Sequence, residues 1–375
     1  MNVENNKTTR RGVKSPIRVG IYPYNPGYNP YQFLFANALE AAGLTVVRIP
    51  PRKFLPLDYA LSFDVDILHL DWPHDLYLGR TPLRRVVKRA MFTWGLRRLK
   101  KHAVVWTAHN LVAHDSEDAR YEARMIQRLI DVCDGVVSFS NVADAALRQQ
   151  YDVPAHLCTK VLHHGHYIDE YENTVTRASA RAKLELPQDA VVVLAFGTIA
   201  KYKGFDALIQ AFQAVAYEKT VLLIAGPAKD PDLLAQLQTL AARRQTSPVD
   251  IRVIPETIDS QDVQVYFNAC DIVALPFRSV LNSGSLLLAM SFGRCVIAPN
   301  IGSVPEIAYS PAHFGYDPAT PDGLTDALRR ALRDDALEQR GTEAKQFAAE
   351  NYGWERAAKD AICLYEEILS TPREI

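Results

Sequence analysis

Two short loops in this sequence hold the residues best suited to grip a phosphate. In the first, Asn282-Ser283-Gly284-Ser285 follows an apolar stretch, 272–275, that ends at Pro276, and it opens a segment, 286–292, that is apolar nearly all round. Read as strand, turn and helix, this run aims free backbone N–H groups and the positive end of a helix dipole at an incoming anion. The plainer alternative is an ordinary serine-capped crossover helix. In the second loop, an apolar stretch ends at Phe196-Gly197-Thr198, and two lysines, Lys201 and Lys203, precede Gly204 and Phe205. A lysine in such a loop suits a diphosphate as a point-charge partner, or is simply a solvated turn residue. Two loops of this kind at strand ends in one region favour the phosphate.

A second set of polar residues collects in the first half of the chain. Apolar stretches at 17–22, 67–70, 103–107, 135–139 and 160–162 run into Asn25 and Asn29, Asp71 and His74, His109 and Asn110, Ser140, and the run His163-His164-Gly165-His166-Tyr167. A lone histidine at a strand end is usually structural. Several on one edge of a parallel sheet are different, because ligands of such sheets sit at the carboxyl ends of the strands.

The elements that must position these groups alternate throughout. Helices are predicted at 31–42, 117–133 and 142–150 between the strands of the first half. Strands at 191–196, 221–225, 251–254, 272–275 and 296–299 alternate with helices at 205–217, 231–243, 262–268 and 286–292 in the second half. Such alternation implies parallel sheets covered on both faces. The fold class is α/β, with two Rossmann-like doubly wound domains facing across a cleft. Residues 1–16 read as a polar, disordered leader, 17–167 and 191–351 as the two domains, and 168–190 as a linker. The tail is helical at 322–333, 336–351 and 355–369, with 352–375 expected to cross back to the first domain.

Composition narrows the class of function. A net charge of −1 over 375 residues gives no global argument for nucleic acid. Five scattered cysteines without a CxxC pair argue against a disulfide frame or zinc site. No stretch approaches the roughly 20 apolar residues of a membrane span, so the cytoplasm is the expected location. Asp230 and Asp232 flank Pro231 at a helix start, where capping explains them, and the histidine run 163–166 has no carboxylate at ligand spacing. No metal or cofactor is expected.

Several runs together resemble a known family: FGTIAKYKGFDALIQAF (196–212), LLIAGP (222–227), ACDIVALPF (269–277), LLLAMSFGRCVIAPNIGSVPEI (286–307) and YGWERAAKDAICLYEEIL (352–369), with DILHLDWP (66–73), VVWTAHNLVAHD (104–115) and CDGVVSFSNVADAALRQQY (133–151) in the first half. They are similar to the GT-B glycosyltransferases of the group 1, family-4-like type used in bacterial polysaccharide assembly. The resemblance implies a nucleotide-sugar donor held by the second domain and a saccharide or lipid-linked acceptor held by the first. It assigns Lys203 to the donor diphosphate. Lys201 stands in for an arginine that the family carries where this chain has Thr198, and Gly197, Ser283, Gly284 and Ser285 complete the phosphate-facing loops. Glu306 is expected at the nucleotide or sugar, Asn282 over the sugar, and His109 beside the reacting centre. Asn29, His74, His114 and His164 are expected on the acceptor side.

One departure stands out. Retaining members carry two glutamates eight positions apart, at positions occupied here by Val280 and Leu288, neither of which accepts a side-chain hydrogen bond. An inverting reaction would need a general base; His109 is the first candidate and Asp71 the second, with His114 and Asp115 behind them. An overall likeness to exopolysaccharide mannosyltransferases favours GDP-mannose over a UDP-sugar. A catalytically silent nucleotide-sugar-binding subunit, a sugar-nucleotide epimerase and a phosphorylase are the alternatives. Finally, the basic stretch from Arg80 to Lys101 contains nine Lys/Arg and no acid, with Leu83, Val87, Ala90 and Trp94 on one helical face. It is either a sheet-covering helix with a solvated basic side or a patch for an anionic membrane surface, which would make the protein peripheral at the inner face of the cell membrane.

Overall fold

The structure, a computed structural model, describes residues 16–25, 27, 29–79, 81–112, 118–243 and 250–371; the expected leader falls almost wholly outside them. The first half contributes β1 (Arg18–Tyr22), β2 (Thr45–Arg48), β3 (Ile67–Leu70), β4 (Ala103–Thr107), β5 (Gly135–Ser138) and β6 (Cys158–Val161). The second contributes β7 (Val191–Phe196), β8 (Thr220–Ala225), β9 (Asp250–Ile254), β10 (Ile272–Ala274), β11 (Cys295–Pro299) and β12 (His313–Tyr316). They form two six-stranded parallel sheets, ordered β2-β1-β3-β4-β5-β6 and β12-β11-β10-β7-β8-β9. Helices cover both faces, so residues on both sides of a central strand are apolar and fully buried, as in Val192–Ala195 and Leu222–Ala225. The expected two-sheet α/β architecture is the one observed.

Register and strand order explain where the polar residues go. Tyr22 pairs with Leu70, and Leu70 with Trp106, so the three strands end within a residue of one another and the turns beginning at Pro23, Asp71 and Ala108 leave the same edge. Phe196 pairs with Ala225, and Ala225 with Ile254, which levels the turns at Gly197 and Gly226 with the loop after β9. In each sheet the order reverses beside the first strand, at β1 and at β7. A crevice opens at such a reversal, outside the carboxyl ends of the strands.

Two features differ from the expectation for the sequence. Residues 168–190 are not featureless: the helix Arg177–Lys183, capped by the Thr176 hydroxyl, packs against the second sheet domain. Its Arg181 is fully buried, donating to the Ala269 and Gln188 carbonyls and to Asp271, so its charge marks an interior pair and not a solvated linker. The edge strand β12 was not expected, since its four residues HFGY carry too short a pattern to stand out.

The last helix, Trp354–Ser370, lies on the first sheet domain. Its Ala358, Ala361, Leu364 and Tyr365 share a core with Phe35, Ala36 and Leu39 of the helix Tyr31–Ala41. Tyr365 reaches through to β3, its hydroxyl 2.5 Å from His69 Nδ1, while His69 Nε2 lies 2.5 Å from the Thr107 hydroxyl. Burial of this ring penalises its charged form and brings its pKa down to about 4. An unfolded histidine titrates near 6.5, so between these values the unfolded chain binds a proton that the native chain refuses. Stability should therefore fall as pH drops from about 6.5 to about 4, by on the order of 3 kcal/mol for this residue. Urea midpoints measured from pH 7 to pH 4.5 should decline less steeply for His69→Gln than for the wild type; equal slopes would refute the assignment.

Candidate active site in the cleft between the sheets

A cavity of about 460 Å³ lies where the two crevices meet. Gly27, Asn29 and Pro30, from the turn after β1, line it on one side. Opposite them stand the β7 turn, with Gly197, Thr198 and Lys203, and the helix Gly284–Ser291, with Gly284, Ser285 and Leu288.

Backbone constraints fix the lysine loop. Residues Lys201–Lys203 form one short 3-10 turn, and Gly204 ends it at a φ of +68°. A Cβ on Gly204 would come within 2.2 Å of the Pro276 carbonyl oxygen, so only glycine lets the helix Phe205–Val215 start there. The Arg278 amide donates to the Tyr202 carbonyl, and its guanidinium to the Lys201 carbonyl and to Asp206. Gly226, at φ +146°, lets the β8 turn press on Gly197, whose carbonyl oxygen would lie 2.2 Å from any added Cβ.

The product of these constraints is a buried cation. Lys203 is 6 % exposed, and among the described residues its ammonium makes no hydrogen bond or ion pair. It lies over the rings of Phe277 and Tyr202, at 5.3 and 5.9 Å. Desolvation brings its pKa down to about 8. A buried charge of this kind is costly until a counter-charge arrives. Beside it, the Ser283 hydroxyl caps the helix by accepting from the Leu286 amide, while Gly284 and Ser285 present the helix start to the cavity.

On the facing side, His109 Nε2 and Asp71 Oδ1 are 2.9 Å apart, and the Gln32 amide donates to the other Asp71 oxygen at 3.0 Å. Burial alone would raise the Asp71 carboxyl, but the hydrogen bond from His109, the nearby histidine charges and Gln32 hold it below its usual range. Trp72, with a left-handed φ of +38°, stacks on the His109 ring at 3.9 Å and 14°. Neither His109 nor Asp71 lines the cavity itself; the Tyr31 ring, next to cavity-lining Pro30, meets His109 edge-on at 4.8 Å.

His164 and Asn29 also meet here. His164 Nδ1 donates to the Gly165 carbonyl, leaving Nε2 3.4 Å from the Tyr167 hydroxyl, which is 3.4 Å from Asn29 Oδ1. Burial lowers the His164 pKa to about 4, so the ring is neutral. A Cβ on Gly284 would lie 3.0 Å from the same Tyr167 hydroxyl.

Other expected residues have different positions. Glu306 does not line the cavity; its carboxylate accepts from the Asn141 and Val142 amides and the Asn141 side chain, capping the helix Asn141–Gln150 of the first domain. Asn282 bridges the domains too, donating to the His109 carbonyl at 3.1 Å, with its own Oδ1 buried and unpartnered among the described residues. Lys201 is exposed and pairs with Asp230 at 3.4 Å, while Asp230 caps the helix Pro231–Ala242. His74 is bound to the Tyr77 hydroxyl and lies 3.6 Å from Glu122, away from the cavity lining. His114 and Asp115 lie outside the described residues. Among the described residues no three His, Cys, Asp or Glu side chains gather as a metal ion would require.

Tyr167, which closes the strand-end run His163–Tyr167, lines the cavity, and so do Glu170, Tyr171, Tyr202, Thr257 and Ser260, which the sequence does not single out. Thr257 follows β9, so the strand-end rule applied to it would have found it.

Comparisons with known proteins agree with this fold. The chain has a TM-score of 0.72 to sucrose-phosphate synthase from Thermosynechococcus elongatus, at 19 % identity over 95 % of this chain and 99 % of that one. It has a TM-score of 0.70 to Anabaena Alr3699/HepE in complex with UDP and glucose, at 15 % identity, covering 94 % of this chain and all of that one. The fold is therefore that of the two-domain GT-B proteins. Residues 190–334 match the family model of group 1 glycosyl transferases. A GDP-mannose:glycolipid 4-beta-D-mannosyltransferase of Xanthomonas campestris pv. campestris is 29 % identical over 321 residues, 83 % of each chain. The chain is a glycosyltransferase whose second domain is of the group 1 type.

Gly204 gives a direct check on how the lysine loop is held. Gly204→Ala should lower the unfolding free energy by about 1–3 kcal/mol, because a Cβ is forced into a left-handed backbone against a carbonyl. An unchanged urea midpoint would show that the turn is not locked as described.

Proposed function

We propose that this enzyme transfers mannose from GDP-mannose to a saccharide or lipid-linked saccharide acceptor, inverting the anomeric centre. The observation that carries the reading is Lys203, a buried cation without a counter-charge among the described residues, beside the helix start at Gly284-Ser285. A diphosphate supplies the missing charge, and in the transition state the same groups stabilise the leaving GDP by electrostatic preorganisation. In this reading Lys203 and the backbone N–H groups balance the diphosphate charge without a metal. The choice of GDP-mannose is supported by similarity to the Xanthomonas relative.

His109 is the base in this mechanism. Asp71 accepts the proton on Nε2, which leaves the Nδ1 lone pair to take the acceptor hydroxyl proton. The acceptor oxygen bonds to the anomeric carbon as the glycosyl–phosphate bond breaks, its electron pair passing to the diphosphate. Asp71 then stabilises the imidazolium, and the cleft keeps water from the reacting centre.

The helix Pro82–Leu99 fits a membrane-borne acceptor. It buries Phe92, Gly95, Leu96 and Leu99, and leaves Leu83, Val86, Val87 and Trp94 exposed among Arg84, Arg89 and Arg97. An apolar and basic face suits anionic lipid.

Thermal shift with GDP, UDP, ADP and their sugar conjugates tests the donor. GDP and GDP-mannose should stabilise the wild type and fail to stabilise Lys203→Ala, since a ligand of the native state raises its apparent stability. His109→Ala should keep that stabilisation but lose about 100-fold or more in kcat. Turnover of a lipid-linked acceptor should be faster in vesicles containing phosphatidylglycerol than in neutral ones. Stabilisation by no nucleotide would remove the reading.

A further inference from the structure

Among the described residues lining the cleft cavity, Glu170 is the only acid. No hydrogen bond or ion pair reaches its carboxylate among the described residues, and burial pushes its pKa up. Glu170 is half-buried, less enclosed than Lys203 in the same cavity, and its carboxylate is open to the cavity, where it accepts hydrogen bonds from donors that enter.

A chain of rings shows which part of a donor it would meet. From His109 the contacts run to Tyr31 at 4.8 Å, to His164 at 4.9 Å, to Tyr167 at 5.6 Å, to Tyr171 at 6.3 Å and to Phe292 at 6.2 Å. Tyr167 stands at Gly284, the helix start that faces the diphosphate. Tyr171, the neighbour of Glu170, is one contact farther from His109, over the turn of helix after Leu288. The transferred sugar lies at the His109 end, so Glu170 belongs to the nucleoside side of the diphosphate. A carboxylate there is repelled by phosphate, and Leu288 and Phe292 offer no acceptor of their own.

We propose that Glu170 accepts hydrogen bonds from the 2′- and 3′-hydroxyls of the donor ribose and so fixes the nucleoside end of the nucleotide sugar. The two carboxylate oxygens match two vicinal donors, a charge-assisted pairing. This inference rests on the donor reading above.

Calorimetry on the full chain tests it with GDP, UDP and their 2′,3′-dideoxy forms, on wild type, Glu170→Ala and Glu170→Gln. The wild type should bind the native diphosphate about 10- to 100-fold more tightly than the dideoxy form, the range expected for hydrogen bonds to a charged group. Glu170→Ala should lose that preference while binding the dideoxy form as the wild type does, and Glu170→Gln, which keeps the volume, should lose most of it. Equal weakening of both forms, or no change, would overturn the proposal while leaving the donor reading intact. Failure of the wild type to bind either nucleotide would overturn both.

Discussion

The site depends on one buried ammonium group. Lys203 is held away from water and, among the described residues, from any counter-ion by a turn that only a glycine at 204 permits, and by Arg278, which fastens the same turn from the next strand's loop. A charge in that position is unfavourable in the empty protein and becomes favourable when an anion enters. The fold thus carries a preference for an anion at this point, which the proposed reading assigns to the donor diphosphate, and the apolar core of the second sheet domain provides the stability that tolerates the buried charge.

The two domains are also coupled chemically. Glu306, from the turn after β11, supplies the anionic cap for a helix of the first domain, and Asn282 holds the carbonyl of His109. These contacts tie the loop that precedes the phosphate-facing helix to the residue proposed as base. Under the proposed mechanism, movement of one domain against the other would change the distance between donor diphosphate and base, so that closure and catalytic alignment become the same event.

The architecture was legible because its signals are redundant. Apolar runs, glycine stops and the strand-end rule all point to two parallel sheets with ligands at their carboxyl edges, and the lysine loop and helix start follow from the same grammar. Individual side chains were less legible, since a residue type does not state its partner. Glu306 and Asn282 look like ligand contacts in the sequence and are domain bridges in the structure. His74 looked like a strand-end site residue but is bound to Tyr77 near Glu122. The basic helix showed the opposite problem: its interior side is Phe92, Gly95, Leu96 and Leu99, while Leu83, Val87 and Trp94 are exposed. Glu170 and Tyr171 could not be found from pattern at all, because they sit in a stretch without periodicity and gain meaning only from what lies across the cleft.

The stereochemistry of the product tests the central claim most directly, that the cleft sets a base opposite a stabilised leaving diphosphate. Proton NMR of the initial product formed from GDP-α-mannose should show a β-mannoside, the outcome of direct displacement assisted by His109. An α-mannoside would contradict the account, since retention needs a route in which His109 and Asp71 do not act as the proposed base pair.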